Sequence, residues 1–156
     1  MGSVLIVGAS GILAPAASAL VARGEAVTGI GRRRAMPAGA AALHVDGHDL
    51  AAVDHALGIT RWTTAIVYEP AVTAATLRRI AASIDDRLVL VRTSAAADPA
   101  HGAPNPEPGT LLLGWVDDDG SVRWHTPEEI SDAALEVLAD GAPRILGSVR
   151  PWERRP

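Results

Sequence analysis

Residues 4–7, Val-Leu-Ile-Val, are apolar without a break, the pattern of a strand covered on both faces rather than of one with a wet side. Gly8, Ser10 and Gly11 follow, and then an alanine-rich apolar stretch closed by Gly24. The run predicts a strand over 3–7, a glycine turn and a helix over 12–23. Further apolar runs predict strands over 26–30, 42–45, 64–68 and 87–91. Leu50, Val53, Ala56 and Leu57 have helical spacing behind Asp49, a natural cap, and predict a helix over 49–57. Residues 72–84 predict an amphipathic helix with Arg78 and Arg79 toward water. Strands and helices alternating at this spacing build a doubly wound, mostly parallel α/β sheet of the Rossmann type.

The rhythm breaks at residues 95–109, where Pro99, Pro104, Pro106 and Pro108 exclude a full helix. A strand over 110–116, a turn over 117–120 and a second strand over 121–125 read as a hairpin. Thr126, Pro127 and Glu129 then supply a cap, a first-turn proline and a capping-box glutamate for a helix reaching about residue 140. A last strand over 145–149 leads into a polar tail, 150–156. The expectation is a single domain, 1–156, with a modified C-terminal third.

Composition narrows the function classes. The chain is 48% hydrophobic but only 3% aromatic, with no Phe, so its core is built from Ala, Val, Leu and Ile. It has no cysteine, which removes disulfides and thiolate metal sites. All 14 basic residues are arginines, so Schiff-base chemistry, a phosphate-loop lysine and a lysine general acid are unavailable. A net charge of −4 argues against nucleic acid as a partner. No apolar stretch approaches the roughly 20 residues of a membrane span. The expected setting is the cytoplasm, and the expected partner a small-molecule substrate.

The turn Gly8-x-x-Gly11-x-x-Ala14, between a buried strand and a helix, is where backbone N–H groups hold a dinucleotide pyrophosphate. Gly8, Ser10, Gly11 and Ile12 are therefore the first cofactor-binding candidates. Arg32, Arg33 and Arg34 follow the turn by roughly 20 residues, where an acidic residue would select NAD and arginine a 2′-phosphate. Arg32 and Arg33 make NADP the expected cofactor, as NADPH, in preference to NAD. Ligands in such sheets lie beyond the C-terminal strand ends, which brings Tyr68 and the Thr93-Ser94 pair to the same crevice.

The order of these elements and the glycine turn resemble the short-chain dehydrogenase/reductase family over residues 3–94. The resemblance implies that Asp46, with Gly47, contacts the adenine and that Ser94 is the catalytic serine. It also implies a Tyr-x-x-x-Lys pair on a helix after the fifth strand, which this chain lacks: its one tyrosine is Tyr68 and it has no lysine. The second half, with Leu113-Gly114-Trp115-Val116, Arg123-Trp124-His125-Thr126 and Gly147-Ser148-Val149-Arg150-Pro151-Trp152, resembles small bacterial proteins classed with that family by similarity. Redox chemistry by Ser94 and Tyr68, a non-redox sensor domain, and lyase, isomerase or cyclase chemistry are the competing readings.

Other residues have plainer expectations. His125 reads as a surface residue beside a cap, and Glu128 and Glu129 as partners of the helix dipole. His44, His48, Asp49, Asp54 and His55 straddle a strand end and a helix, so no metal site is expected. Trp115, Trp124 and Trp152 read as packing or interface residues, and with the hairpin they make a homodimer possible.

Overall fold

The computed structural model describes residues 2–156. Seven strands form one wholly parallel sheet. They are β1 (Ser3–Val7), β2 (Ala26–Gly31), β3 (Ala41–His44), β4 (Trp62–Tyr68), β5 (Ile84–Arg92), β6 (Thr110–Leu113) and β9 (Arg144–Leu146), in the order β3-β2-β1-β4-β5-β6-β9. β1 lies between β2 and β4, so the chain reverses its winding there and opens a crevice at the strand ends. A separate antiparallel hairpin pairs β7 (Trp115–Asp118) with β8 (Ser121–Trp124).

Alternation along the strands divides the core in two. Val4, Ile6, Ile66, Val89 and Leu111 face helices α1 (Ala14–Ala22) and α4 (Pro127–Asp140), which contribute Ala16, Ala17, Ala133, Ala134 and Val137. Leu5, Val7, Ala65 and Val67 face α2 (Leu50–Leu57) and α3 (Ala74–Ala81) through Val53, Leu57 and Ile80. Alanines on α1 and α4 let those helices pack close to each other and to the sheet. Asp49 caps α2, its carboxylate accepting from the Ala52 N–H at 3.0 Å, and Thr73 caps α3 by accepting from Thr76 N–H at 3.1 Å. Thr126 and Glu129 form the capping box of α4.

Several boundaries differ from the sequence expectation. α1 starts at Ala14 because residues 8–13 are used by the turn, with the Gly8 carbonyl accepting from both Gly11 and Leu13 N–H. The run 110–116 is two strands rather than one. A Cβ at Gly114 would lie 2.1 Å from the Ser148 carbonyl oxygen, so the chain bends there and leaves the main sheet as β7. The last strand ends at Leu146, earlier than expected, since Ser148 turns to bridge Trp115.

Between β5 and β6 the proline-rich crossover holds only two 3-10 turns, Ser94–Ala97 and Pro99–His101. A third, small core of Ala97, Leu112, Trp115 and Val149 forms beside this crossover. The polar tail is also packed. Trp152 meets Trp115 edge-on at 6.2 Å, and the Arg154 guanidinium donates to both Asp117 carboxylate oxygens at 2.7 and 2.6 Å. Trp115 is fully buried, so it serves this core and no interface.

Candidate functional site

The glycine turn opens on a cavity of about 700 Å³ lined by Gly8, Ser10, Gly11, Ile12 and Tyr68 on one side and Arg32, Arg33 and Arg34 on the other. Gly8 has a φ of +108°, and a Cβ there would come within 3.2 Å of the Tyr68 Cβ. At Gly11 a Cβ would meet nothing within 4 Å, since this backbone faces open space. The N–H groups of Ser10 and Ile12 find no acceptor among the described residues. Free amide donors at a helix start, with room for a close approach, are what a pyrophosphate requires. Gly31 lets β2 approach the turn, because a Cβ there would lie 3.2 Å from the Ser10 Oγ.

The arginines are exposed beside this turn. Arg32 Nη1 stands 4.0 Å from Asp46 Oδ2, with 72% of its side chain exposed. Arg33 and Arg34 make no ion pair among the described residues. A smaller pocket of about 140 Å³ continues beyond Gly8, Ser10 and Arg32, between Val7, Gly31, Asp46, Gly47, His48 and Ala71. A Cβ at Gly47 would lie 2.1 Å from the Ala71 carbonyl oxygen, so only glycine fits this wall. Asp46 Oδ1 accepts from the His48 backbone N–H at 2.9 Å and contacts the His48 Nδ1 at 3.1 Å. His48 Nε2 is 2.9 Å from the Pro70 carbonyl oxygen. The His48 N–H, its ring and then the Arg32 charge hold the Asp46 carboxyl below the usual aspartate range. His48 thus ties the two walls of the pocket together, a role with no signal in the sequence.

On the other side of Tyr68 a third cavity, of about 320 Å³, is walled by Ile12, Leu113, Ile130 and Trp124, with Thr93, Ser94, His125 and Arg155 as its polar groups. Ile12 and Tyr68 line both this cavity and the large one. Ser94 is buried, and its Oγ accepts from the Arg155 Nε–H at 2.9 Å. The Ser94 hydroxyl hydrogen meets no acceptor among the described residues. Burial pushes the Tyr68 phenol above its ordinary pKa, so it stays protonated at neutral pH as a hydrogen-bond donor.

His125 corrects the sequence expectation of a surface residue. Its side chain is 5% exposed, and Nδ1 lies 2.8 Å from Glu129 Oε2. Nε2 is buried without a partner against Gly147, where a Cβ would be 2.4 Å from it. Glu129 therefore does more than cap. It also accepts from Arg123 at 2.8 Å, and the His125 ring followed by Arg123 draws its carboxyl down to about 2. His125 and Glu129 are four residues apart, a spacing visible in the sequence, but the burial that gives the pair its character is not. Arg155, placed in the tail by the sequence, reaches the cavity from beyond the third core.

Asp49 and Asp54 are engaged elsewhere, by the α2 cap and by Arg79. Among the described residues no group of three His, Asp or Glu side chains is arranged to hold a metal ion, and no helix is long and apolar enough to cross a membrane.

No protein-family model matches the chain, and no curated protein sequence matches it. Solved structures do. A short-chain dehydrogenase/reductase of wide type from Veillonella parvula DSM 2008, in complex with NADP, is 14% identical over 100% of this chain and 99% of that one, with a TM-score of 0.62. A carbonyl reductase from Pseudomonas aeruginosa PAO1 is 18% identical over 100% of this chain and 99% of that one, with a TM-score of 0.61. A nucleoside-diphosphate-sugar epimerase from Pseudomonas aeruginosa is 15% identical over 92% and 71%, with a TM-score of 0.56. The chain has the Rossmann fold of short-chain dehydrogenase/reductase structures. At such identities the likeness carries the fold and leaves the chemistry to the residues.

Proposed function

We propose that the chain is an NADP-dependent oxidoreductase that reduces a small carbonyl, imine or enoyl compound. One observation carries this reading: three cavities adjoin along the C-terminal strand ends, and the central one has the glycine turn on one wall and three arginines on another. The sequence of pockets suits a dinucleotide laid across the crevice. The Ser10 and Ile12 N–H groups, with the Gly8 and Gly11 backbone, would hold the pyrophosphate. Arg32 and Arg33 would take the 2′-phosphate, and Asp46 and Gly47 the adenine end. When bound, NADPH supplies a hydride.

The chain's own part is positioning. Ser94 offers its free hydroxyl hydrogen to the substrate oxygen or nitrogen. Tyr68 stands at the wall shared by the two larger cavities, where it shields the reacting centre from water and donates a hydrogen bond. With no lysine to lower its pKa, Tyr68 is a weaker acid than a free phenol. That same feature supports a second reading, in which the domain binds the dinucleotide as a sensor without transferring hydride.

A thermal-shift titration against NADPH, NADP, NADH and NAD tests the shared premise. NADPH and NADP should raise the melting temperature most, and no shift with any of the four would overturn both readings. Stereospecific transfer of deuterium from labelled NADPH to a carbonyl panel then selects the enzyme over the sensor.

A further inference from the structure

Arg155 is the one residue lining the 320 Å³ cavity that carries a fixed charge; the other nine are apolar, glycine, hydroxyl-bearing or aromatic, His125 among them. Its position is built from both sides. Trp152 rests on Trp115, and Arg154 turns outward onto Asp117 in a two-pronged ion pair, which sends the next side chain toward the sheet. The Arg155 guanidinium carbon then lies 5.4 Å from the Trp124 ring centre and 5.2 Å from that of Trp152, within cation–π range of both. Nε–H is spent on the buried Ser94 Oγ. The Nη1 and Nη2 groups have no acceptor among the described residues, and no carboxylate pairs with Arg155. Trp124, 46% exposed, is a large apolar side chain left open beside it.

A guanidinium held beside two indole rings and hydrogen-bonded at one edge, with its remaining fork free, is organised for a planar two-oxygen acceptor. Ile12, Leu113, Ile130 and Trp124 give the cavity around it an apolar side. We infer that this cavity takes a small carboxylate with an apolar body, its carboxylate on the free Arg155 fork and its reducible group on the Ser94 hydroxyl. Because Ser94 and Arg155 are hydrogen-bonded to each other, the two substrate groups they hold are close together. The substrate is thus an acid whose carbonyl, imine or enoyl carbon lies within a few bonds of the carboxylate, as in a 2-oxo or 3-oxo acid. This assignment rests on the reading of the cavity as the substrate site.

The test uses the intact chain saturated with NADP, with tryptophan fluorescence as the readout, since Trp124 and Trp152 flank the guanidinium. Probes are 2-oxopentanoate, acetoacetate and benzoylformate, each against its methyl ester. At least one acid should bind roughly tenfold more tightly than its ester. Arg155→Gln should abolish that preference, and Arg155→Lys, which keeps the charge without the fork, should restore only part of it. Equal binding of acids and esters, no binding of any acid, or a preference retained in Arg155→Gln would each overturn the inference. NADPH binding, measured separately by nicotinamide fluorescence, tells the two claims apart. Its loss removes the cofactor reading while an intact acid preference keeps this one, and the reverse outcome removes this one alone.

Discussion

Gly11 and Gly47 are both glycines in the crevice, and the structure assigns them opposite reasons. A Cβ at Gly11 meets nothing, whereas one at Gly47 strikes the Ala71 carbonyl. Gly11→Ala should therefore leave the melting temperature unchanged and, if the proposed site holds, weaken NADPH binding by about tenfold, because the added methyl would stand where the proposal puts the pyrophosphate. Unchanged binding would remove the turn from the site. Gly47→Ala should cost about 1–3 kcal/mol of stability, since backbone must move to admit it, and a calorimetric scan with an unshifted transition would contradict this. Asp46 came in through the family resemblance, whereas the crevice shared by the turn and the arginines was legible because each is a local pattern at a fixed distance from a strand end. His48, His125 and Arg155 were not, because their contacts are made by folding: His48 reaches Pro70 across 22 residues, and Arg155 reaches Ser94 across 61. Their residue types say nothing of this.

Among the elements, the starts of α2 and α4 were readable from their caps, whereas α1 and α3 begin two residues later than the pattern predicts. Asp49, Thr73 and Thr126 all bond the third residue beyond them, and two of the three stood out as caps in the sequence. Strand ends read less well. Leu112, Leu113, Trp115 and Val116 look continuous, and the break at Gly114 is imposed by Ser148, distant in sequence. The start of α4 carries a pH dependence. Glu129 has its carboxyl lowered from 4.5 to about 2 by His125 and Arg123 in the folded chain, so folding favours its ionised form. That contribution is complete above about 4.5 and is lost as pH falls toward about 2. Asp46, Asp117 and Asp140 are lowered as well and act in the same direction. Melting curves across that range should fall steeply for the natural chain and more shallowly for Glu129→Gln, which should also melt lower at neutral pH. Parallel curves for the two would show that the pair does not couple folding to protonation.

For the whole molecule, the departure that matters is the crossover between β5 and β6. Its prolines exclude a helix over that stretch, and what stands there instead is a small core on Trp115 that anchors the hairpin and the tail. The glycine-turn side of the crevice follows the doubly wound sheet, while the cavity beyond Tyr68 is walled by β8, the start of α4 and the tail. The doubly wound, parallel character of the sheet was readable from the alternation of strands and helices over residues 3–94, whereas the order of its seven strands was not. The 320 Å³ cavity was not readable either, since it joins Ile12 near one end of the chain to Arg155 near the other.

Under the proposed function the arginines beside the glycine turn select a 2′-phosphate. Calorimetric titration of NADPH and NADH into the natural chain and into the Arg32→Ala/Arg33→Ala double variant addresses this selectivity most directly. NADPH should bind at least about tenfold more tightly than NADH, and the double variant should lose that advantage with NADH affinity nearly unchanged. Equal affinities in the natural chain, or an equal loss for both cofactors in the variant, would contradict the account.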